Sequence, residues 1–367
     1  MSRYIAHLLK EFSKANRDLC FETLVHESAK AEYLSDPTHV HSIHVTELVR
    51  NPLLNIAWHQ LVLPGLCKKR DFDVLFLPAA NRRVPLSVPC PTVGTVHDFT
   101  SLHIEGKYDP RRMFYQAHVL PYLVRNLTHV IAISESTKKD ILEHVKLSED
   151  RITVIPSAAD TEIFYPRDRK TAGERMRVYG VRSPYILYLS RIEHPGKNHL
   201  RLIHAFERVK RSEQVPHQLV LAGSDWHGAE VVHRAARESV YAADILIAGF
   251  VGAVDLPDLY NGAEFLGFPS LFEGFGLPIL EAMACGVPVA CSNVSSMPEV
   301  AGNAAVYFNP KEEEDMAEAL KTLLLSDQLR AEYGRKGLER SKGFSWSSTA
   351  QKTLDVIKAA AGGKSFT

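Results

Sequence analysis

Two carboxylates, two cations and a glycine-flanked turn give this sequence its reactive potential. The richest stretch is Pro269-Ser-Leu-Phe-Glu-Gly-Phe-Gly-Leu-Pro-Ile-Leu-Glu-Ala-Met-Ala-Cys-Gly-Val-Pro-Val, which comes directly after an apolar strand pattern. Gly274 and Gly276 permit a tight, exposed backbone, Pro278 suits the first helical position, and Gly286 suits the helix end. A loop that delivers its amides to a helix N-terminus in this way favours an anion, a diphosphate above all, without a metal. Carboxylates are poor neighbours for phosphate, so Glu273 in the loop and Glu281 one turn into the helix are assigned to hydroxyls, Glu281 to a ribose and Glu273 to a transferred sugar. The alternative is that both merely complement the helix dipole, which does not account for the glycines.

Arg191 and Lys197 supply the complementary charge in Leu187-Tyr-Leu-Ser-Arg-Ile-Glu-His-Pro-Gly-Lys-Asn-His-Leu, also just after a strand. The carboxyl end of a strand is where open α/β sheets bind ligands, and a guanidinium with an ammonium offsets developing diphosphate charge. Solvated loop cations are the common alternative, and only the placement beside the first motif lifts these two. Val93-Gly-Thr-Val-His97-Asp98-Phe99 places a histidine and an aspartate at another strand end. His97 either faces a cleft or is structural, and Asp98 either joins it or caps the next segment. Ser134 or Ser136 in Ile131-Ala-Ile-Ser-Glu-Ser-Thr-Lys is read as a helix cap.

The scaffold for these groups is written in the rest of the chain. Its 367 residues exceed one ordinary core, and 45% apolar with 23% charged residues is globular usage. Short β-branched runs alternate with helical patterns, which predicts α/β domains with parallel sheets. Strands are expected at 74–77, 92–96, 130–133 and 152–155, then at 185–189, 218–222, 245–248, 264–267 and 287–291. Helices are expected at Lys311 to Leu325, at Gln328 to Arg340, and from about Trp346 through Ala361. The polar segment after Asp160 marks a hinge. The domain reading is 1–165, 166–345 and a terminal helical piece 346–367.

Forty-three basic residues balance forty-three acidic ones, so no global field gathers nucleic acid, and any anion site is local. Five cysteines stand without a close pair, which suits a reducing cytosol and argues against zinc or a disulfide framework. No apolar run is long enough to span a bilayer, and the N-terminus carries no signal-peptide core. Arg111-Arg112-Met113-Phe114-Tyr115 is either part of an interfacial amphipathic face or a surface helix with a buried aromatic side. Asp71-Phe-Asp73 precedes a strand rather than following one and is discounted as a metal pair, and the seventeen histidines show no metal-ligand spacing.

Taken together, these motifs resemble the retaining glycosyltransferase family 4, the group-1 enzymes of GT-B fold, from Arg3 to about Ala360. The Glu-x7-Glu signature of the family falls on Glu273 and Glu281, its diphosphate-binding Arg and Lys on Arg191 and Lys197, and its Pro-Glu-Val-x-Gly on Pro298 to Gly302. The resemblance implies two Rossmann-like domains with a cleft between them and a final helix crossing back onto the first. It places His97 near the transferred sugar, Phe250 and Val251 against the base, and the amides of Phe275, Gly276 and Leu277 on phosphate and sugar, beside Gly274.

It also implies a hexosyltransferase that works with retention and no metal cofactor, using a GDP- or UDP-linked sugar. Phe-Glu-Gly-Phe-Gly-Leu-Pro and Ser-Asn-Val-Ser-Ser-Met-Pro-Glu look most like bacterial mannosyltransferases of lipopolysaccharide or exopolysaccharide assembly. GDP-mannose is the donor expected, a saccharide or lipid-linked saccharide the acceptor, and the cytoplasm the location, peripheral to the inner membrane face. Relatives begin with a strand and a glycine-rich loop ending roughly Gly-x-Gly-Arg-Tyr, whereas this chain opens Met1-Ser2-Arg3-Tyr4-Ile5. Arg3 and Tyr4 are therefore expected to start the first helix, with a central strand position of the first sheet empty through truncation or a misassigned start. That makes a catalytically impaired nucleotide-sugar-binding protein the second reading, and an epimerase or phosphorylase the third.

Overall fold

The computed structural model describes residues 2–14, 19–26, 40–81, 83–104 and 109–362. The chain divides into two compact units. One gathers Met1–Phe99, Pro110–Ser157 and Ser345–Thr367, and the other Thr100–Asp109 and Ala158–Phe344.

In the first unit β1 (Phe21–Val25) pairs in parallel with β2 (Val40–His44). A second parallel ladder runs in the order β3 (Leu75–Leu77), β4 (Thr92–Val96), β5 (His129–Ala132), β6 (Ile152–Val154). Among the described residues these ladders are separate sheets. The expected helix at Arg3 and Tyr4 runs Ser2–Lys14, and its apolar positions Tyr4, Leu8 and Phe12 are all buried, as a helical stripe requires. Tyr4 meets Thr95 of β4 (Oη to Oγ1, 3.3 Å), and its ring stands edge-on to His97 and Trp346. The helix Trp346–Ala361 begins with a Ser345 cap and belongs to this unit. Its Thr349 hydroxyl donates to the Pro156 carbonyl at 2.8 Å, and His7 stacks on Trp346 at 4.6 Å. At 129–132 and 152–154 the strands lie within a residue of expectation, and Thr92–Val96 is met residue for residue. β1 and β2 are additions to the expected set.

The second unit holds one six-stranded parallel sheet. Its order is β12 (Val306–Phe308), β11 (Val289–Ser292), β10 (Phe265–Phe268), β7 (Tyr185–Leu189), β8 (Gln218–Ala222), β9 (Ile245–Gly249). Helices Glu313–Leu324 and Asp327–Ser341 lie close to their expected spans, and β12 is a further addition. Strands β8, β10 and β11 are buried throughout, which is what continuous apolar runs covered on both faces become.

None of the helices among the described residues is long and apolar enough to cross a membrane. The helix Pro110–Phe114 leaves Phe114 62% exposed beside exposed Arg111 and Arg112, so its aromatic side is not buried at that ring.

Candidate active site

Strand order locates the site. β7 pairs with β8 on one side and β10 on the other, so the chain reverses its direction of travel across the sheet between β7 and β10. The loops leaving two such neighbouring strands diverge and open a crevice at their carboxyl ends, the place where α/β sheets receive ligands. β7 delivers Ser190 to Lys197 there, and β10 delivers Pro269 to Gly276.

The two loops are tied together. Leu271 N–H donates to the Gly196 carbonyl at 3.0 Å. Asn198, held at φ 59°, donates through Nδ2 to the carbonyls of Pro269 (3.0 Å) and Pro310 (2.7 Å). Asparagine tolerates that left-handed backbone better than most residues. Buried Tyr188 donates from its hydroxyl to the Lys197 carbonyl at 2.7 Å and lies 3.1 Å from Ser270 Oγ. Burial pushes this phenol far above its ordinary range, so it remains a donor at any working pH. These braces bring the Lys197 ammonium 2.6 Å from Glu273 Oε1, with only 15% and 16% of the two side chains exposed. Lys197 therefore stands at the turn, and Glu273, expected on a sugar hydroxyl, already holds this cation.

The turn itself is tight, but it is not exposed as its glycines suggested. Gly274, Phe275 and Gly276 are all buried. Gly276 takes φ 96°, which disfavours any side chain, and opens the helix Leu277–Ala284 without a side-chain cap. Pro278 sits at the second helical position rather than the first, and Gly286 stands just beyond the helix at φ 72°. The Leu277 amide lies in the first turn, where helix donors lack an intrahelical acceptor. Aromatic contacts hold the turn from both sides: Phe272 stacks on His103 at 4.0 Å, and Phe275 meets Phe344 edge-on at 6.0 Å. The loop after β11 braces the backbone of Glu273, whose N–H donates to Ser295 Oγ (3.1 Å) and whose carbonyl accepts from Ser296 Oγ (2.9 Å). Glu281 is only 5% exposed, and Oε2 accepts from the Tyr260 hydroxyl at 2.7 Å.

Arg191 is held differently. Its Nη2 lies 3.1 Å from Glu193 Oε2, its guanidinium lies 5.1 Å from the Trp226 ring centroid, and the side chain is 45% exposed. Phe250 and Val251 come after β9, but only Phe250 is open, at 73% exposure against 3% for Val251. A flat ligand could reach the ring of Phe250, whereas Val251 turns into the protein.

His97 stands in the first unit at the end of β4. Its Nε2 donates to the Pro78 carbonyl at 2.8 Å, so Nε2 carries a proton. Ser134 caps the helix Glu135–Asp140 through the Thr137 amide at 3.0 Å, as expected.

Several site residues escape the sequence reading. Tyr188, Tyr260, Glu193, Trp226, Ser295 and Ser296 carry no spacing signal of their own: Tyr260, Trp226, Ser295 and Ser296 act on residues more than twenty positions away, and Tyr188 and Glu193 act within their own strand and loop through contacts that no motif spacing marks. Ser295 and Ser296 lie inside a noted motif, where their hydroxyls have no visible task.

Residues 1–163 match the family described as Glycosyltransferase Family 4, and residues 177–340 match Glycosyl transferases group 1. The chain is 30% identical over 268 residues to O-antigen chain mannosyltransferase B of Escherichia coli, covering 72% of this chain and 70% of that protein. It is 32% identical over 293 residues to the Serotype-specific mannosyltransferase WbdA of Escherichia coli, covering 78% of this chain but 35% of that longer protein. In fold it is similar to the sucrose-phosphate synthase of Thermosynechococcus elongatus, with a TM-score of 0.78 at 18% identity over 99% of this chain and 94% of that one. Family matches over both halves, a mannosyltransferase relative aligned over most of its length, and two parallel-sheet α/β units with a helical C-terminus make this chain a hexosyltransferase of glycosyltransferase family 4, group 1, on the GT-B fold.

Proposed function

We propose that this protein transfers mannose from GDP-mannose to a saccharide or lipid-linked saccharide acceptor, with retention at the anomeric carbon, in cell-surface polysaccharide assembly. The observation that carries the reading is the meeting of Lys197 and Glu273 at the turn that opens the helix Leu277–Ala284, at the reversal of the six-stranded sheet. The names of the Escherichia coli relatives, both mannosyltransferases, support the sugar. In this reading the base rests on Phe250, with Val251 backing it from the core, and Glu281 accepts from the ribose. The amides of Phe275, Gly276 and Leu277 take phosphate and sugar, and Arg191 and Lys197 stabilise the leaving diphosphate.

The bond between the anomeric carbon and the diphosphate breaks, its electrons go to the diphosphate oxygen, and that oxygen takes the proton of the acceptor hydroxyl as the new glycosidic bond forms on the same face. The positive charge that the step needs comes from Arg191, Lys197 and the helix N-terminus, so no divalent metal is required. Glu273 orients Lys197 through Oε1 and offers Oε2 to a hydroxyl of the transferred sugar. Exposed Phe114, shortly after exposed Arg111 and Arg112, supports peripheral attachment to the inner face of the cytoplasmic membrane.

Calorimetry with GDP and UDP, without magnesium, tests the site, and a panel of nucleotide sugars tests the donor. Glu281→Ala is expected to weaken nucleotide binding about tenfold, and unchanged affinity would remove the ribose assignment. A catalytically impaired binding protein is the second reading, favoured by the separate ladders among the described residues of the first unit. Nucleotide binding with no turnover of any donor would select it.

A further inference from the structure

The seat of Arg191 is built by residues to which neither the family likeness nor the sequence motifs assign a task. Glu193 leaves the same loop and is fully buried, at 0% side-chain exposure. A carboxylate withdrawn from water that far is costly unless charge and hydrogen bonds compensate it. Here Arg191 Nη2 stands at 3.1 Å from Oε2 and His227 Nε2 at 3.7 Å from Oε1.

The loop after β8 is laced along the Arg191 loop by backbone bonds. Ile192 N–H donates to the Ser224 carbonyl (3.0 Å), Trp226 N–H to the Ile192 carbonyl (2.9 Å), and His194 N–H to the His227 carbonyl (3.3 Å). Two glycines allow this approach. A Cβ on Gly223, at φ 142°, would overlap the Ser190 carbonyl, and one on Gly228, at φ 75°, would come within 3.0 Å of His194. The lacing sets the Trp226 indole, 47% exposed, against the guanidinium at 5.1 Å. Arg191 is thereby held by a buried carboxylate at one edge and an aromatic face beside it, an arrangement that fixes the direction of a planar cation.

We propose that Glu193 and Trp226 are positioning residues that aim the Arg191 guanidinium at the diphosphate of the donor. The proposal rests on the reading of Arg191 as a diphosphate ligand. It makes the loop after β8 part of the donor site, although it need not touch the nucleotide.

The test compares GDP with GMP, and UDP with UMP, by calorimetry on the full chain. A residue that aims Arg191 affects only ligands that carry the second phosphate. Glu193→Gln is expected to lower diphosphate affinity about tenfold and leave monophosphate affinity unchanged. Trp226→Leu should lower the diphosphate affinity about threefold, with recovery in Trp226→Phe. Neither change should add to the loss in Arg191→Ala. The exposed Trp226 decides the matter if buried Glu193→Gln fails to fold. Equal losses for mono- and diphosphate, or a wild-type ratio in both variants while Arg191→Ala lowers it, would overturn the positioning role and leave the diphosphate reading standing. A wild-type ratio in Arg191→Ala would bring down both.

Discussion

Among the described residues, the second unit carries one unbroken ladder of six parallel strands, whereas the strands of the first unit form a pair and a separate set of four. Burial varies within both units: β4 and β5 of the first are buried at every residue, and β9 of the second at none. β8 and β10 are buried at every residue, while β1 is buried only at Val25. A rack of fully covered strands can hold two loops to hydrogen-bond precision, and this is what placing an ammonium against a carboxylate demands. In the second unit the meeting of the two loops comes from the adjacency of β7 and β10 rather than from any single loop.

The severest blow to this contrast is to remove the cation that the rack positions. Lys197→Ala should lower turnover about a thousandfold, with far less effect on thermal stability, because the partner Glu273 is not fully buried. A turnover within a few-fold of wild type would mean that the rack serves something other than leaving-group stabilisation.

Next in size is damage to the rack itself. Gly223→Ala places a Cβ on the Ser190 carbonyl in a backbone conformation that L residues avoid, and should destabilise the second unit by about 3 kcal/mol. Hydrogen exchange should show the loss in β7 to β9 and not in β3 to β6. Uniform loss through both units would instead make them one cooperative body.

A titration supplies the mildest and finest separation of the two units. Each buries a neutral histidine. Desolvation lowers His129 in the first to about 4, and His199 in the second to about 3. His199 donates from Nδ1 to the Glu193 carbonyl at 3.3 Å, a bond that favours protonation but does not outweigh burial. Because these folded-state values lie below the unfolded value near 6.5, the associated stability is complete above about pH 6.5 and is lost as the pH falls toward the folded values. Each group then removes up to about 1.4 kcal/mol per pH unit. Below pH 4 only the second unit should continue to lose stability by this route, and His199→Gln should flatten that slope. An unchanged slope in the variant would assign acid sensitivity to other groups.

Much of this fold is legible in the chain. Thr92–Val96, Tyr185–Leu189 and Gln218–Ala222 are readable residue for residue, because strands covered on both faces are continuous apolar runs bounded by polar loops. β1, with the sequence Phe-Glu-Thr-Leu-Val, and the histidine-rich β2, Val-His-Ser-Ile-His, escape that signal, since half-buried strands mix polar with apolar residues. β12, Val-Tyr-Phe, is only three residues long, and of these only Phe308 is buried. At the site, Glu273, Glu281, Arg191 and Lys197 announce themselves through glycine spacing and strand ends. Their immediate partners do not.

Local chemistry was therefore set by the order of residues alone: a turn that Gly276 makes possible, a helix that presents its first amides, and cations placed one loop beyond a strand. These depend on neighbours along the chain, and backbone sterics act at that range. It took the folded arrangement to settle that Lys197 would meet Glu273, that Tyr260 would reach Glu281, and that Trp226 would stand against Arg191. Those pairings join residues brought together by strand order and loop lacing, and no local pattern records which strand becomes whose neighbour.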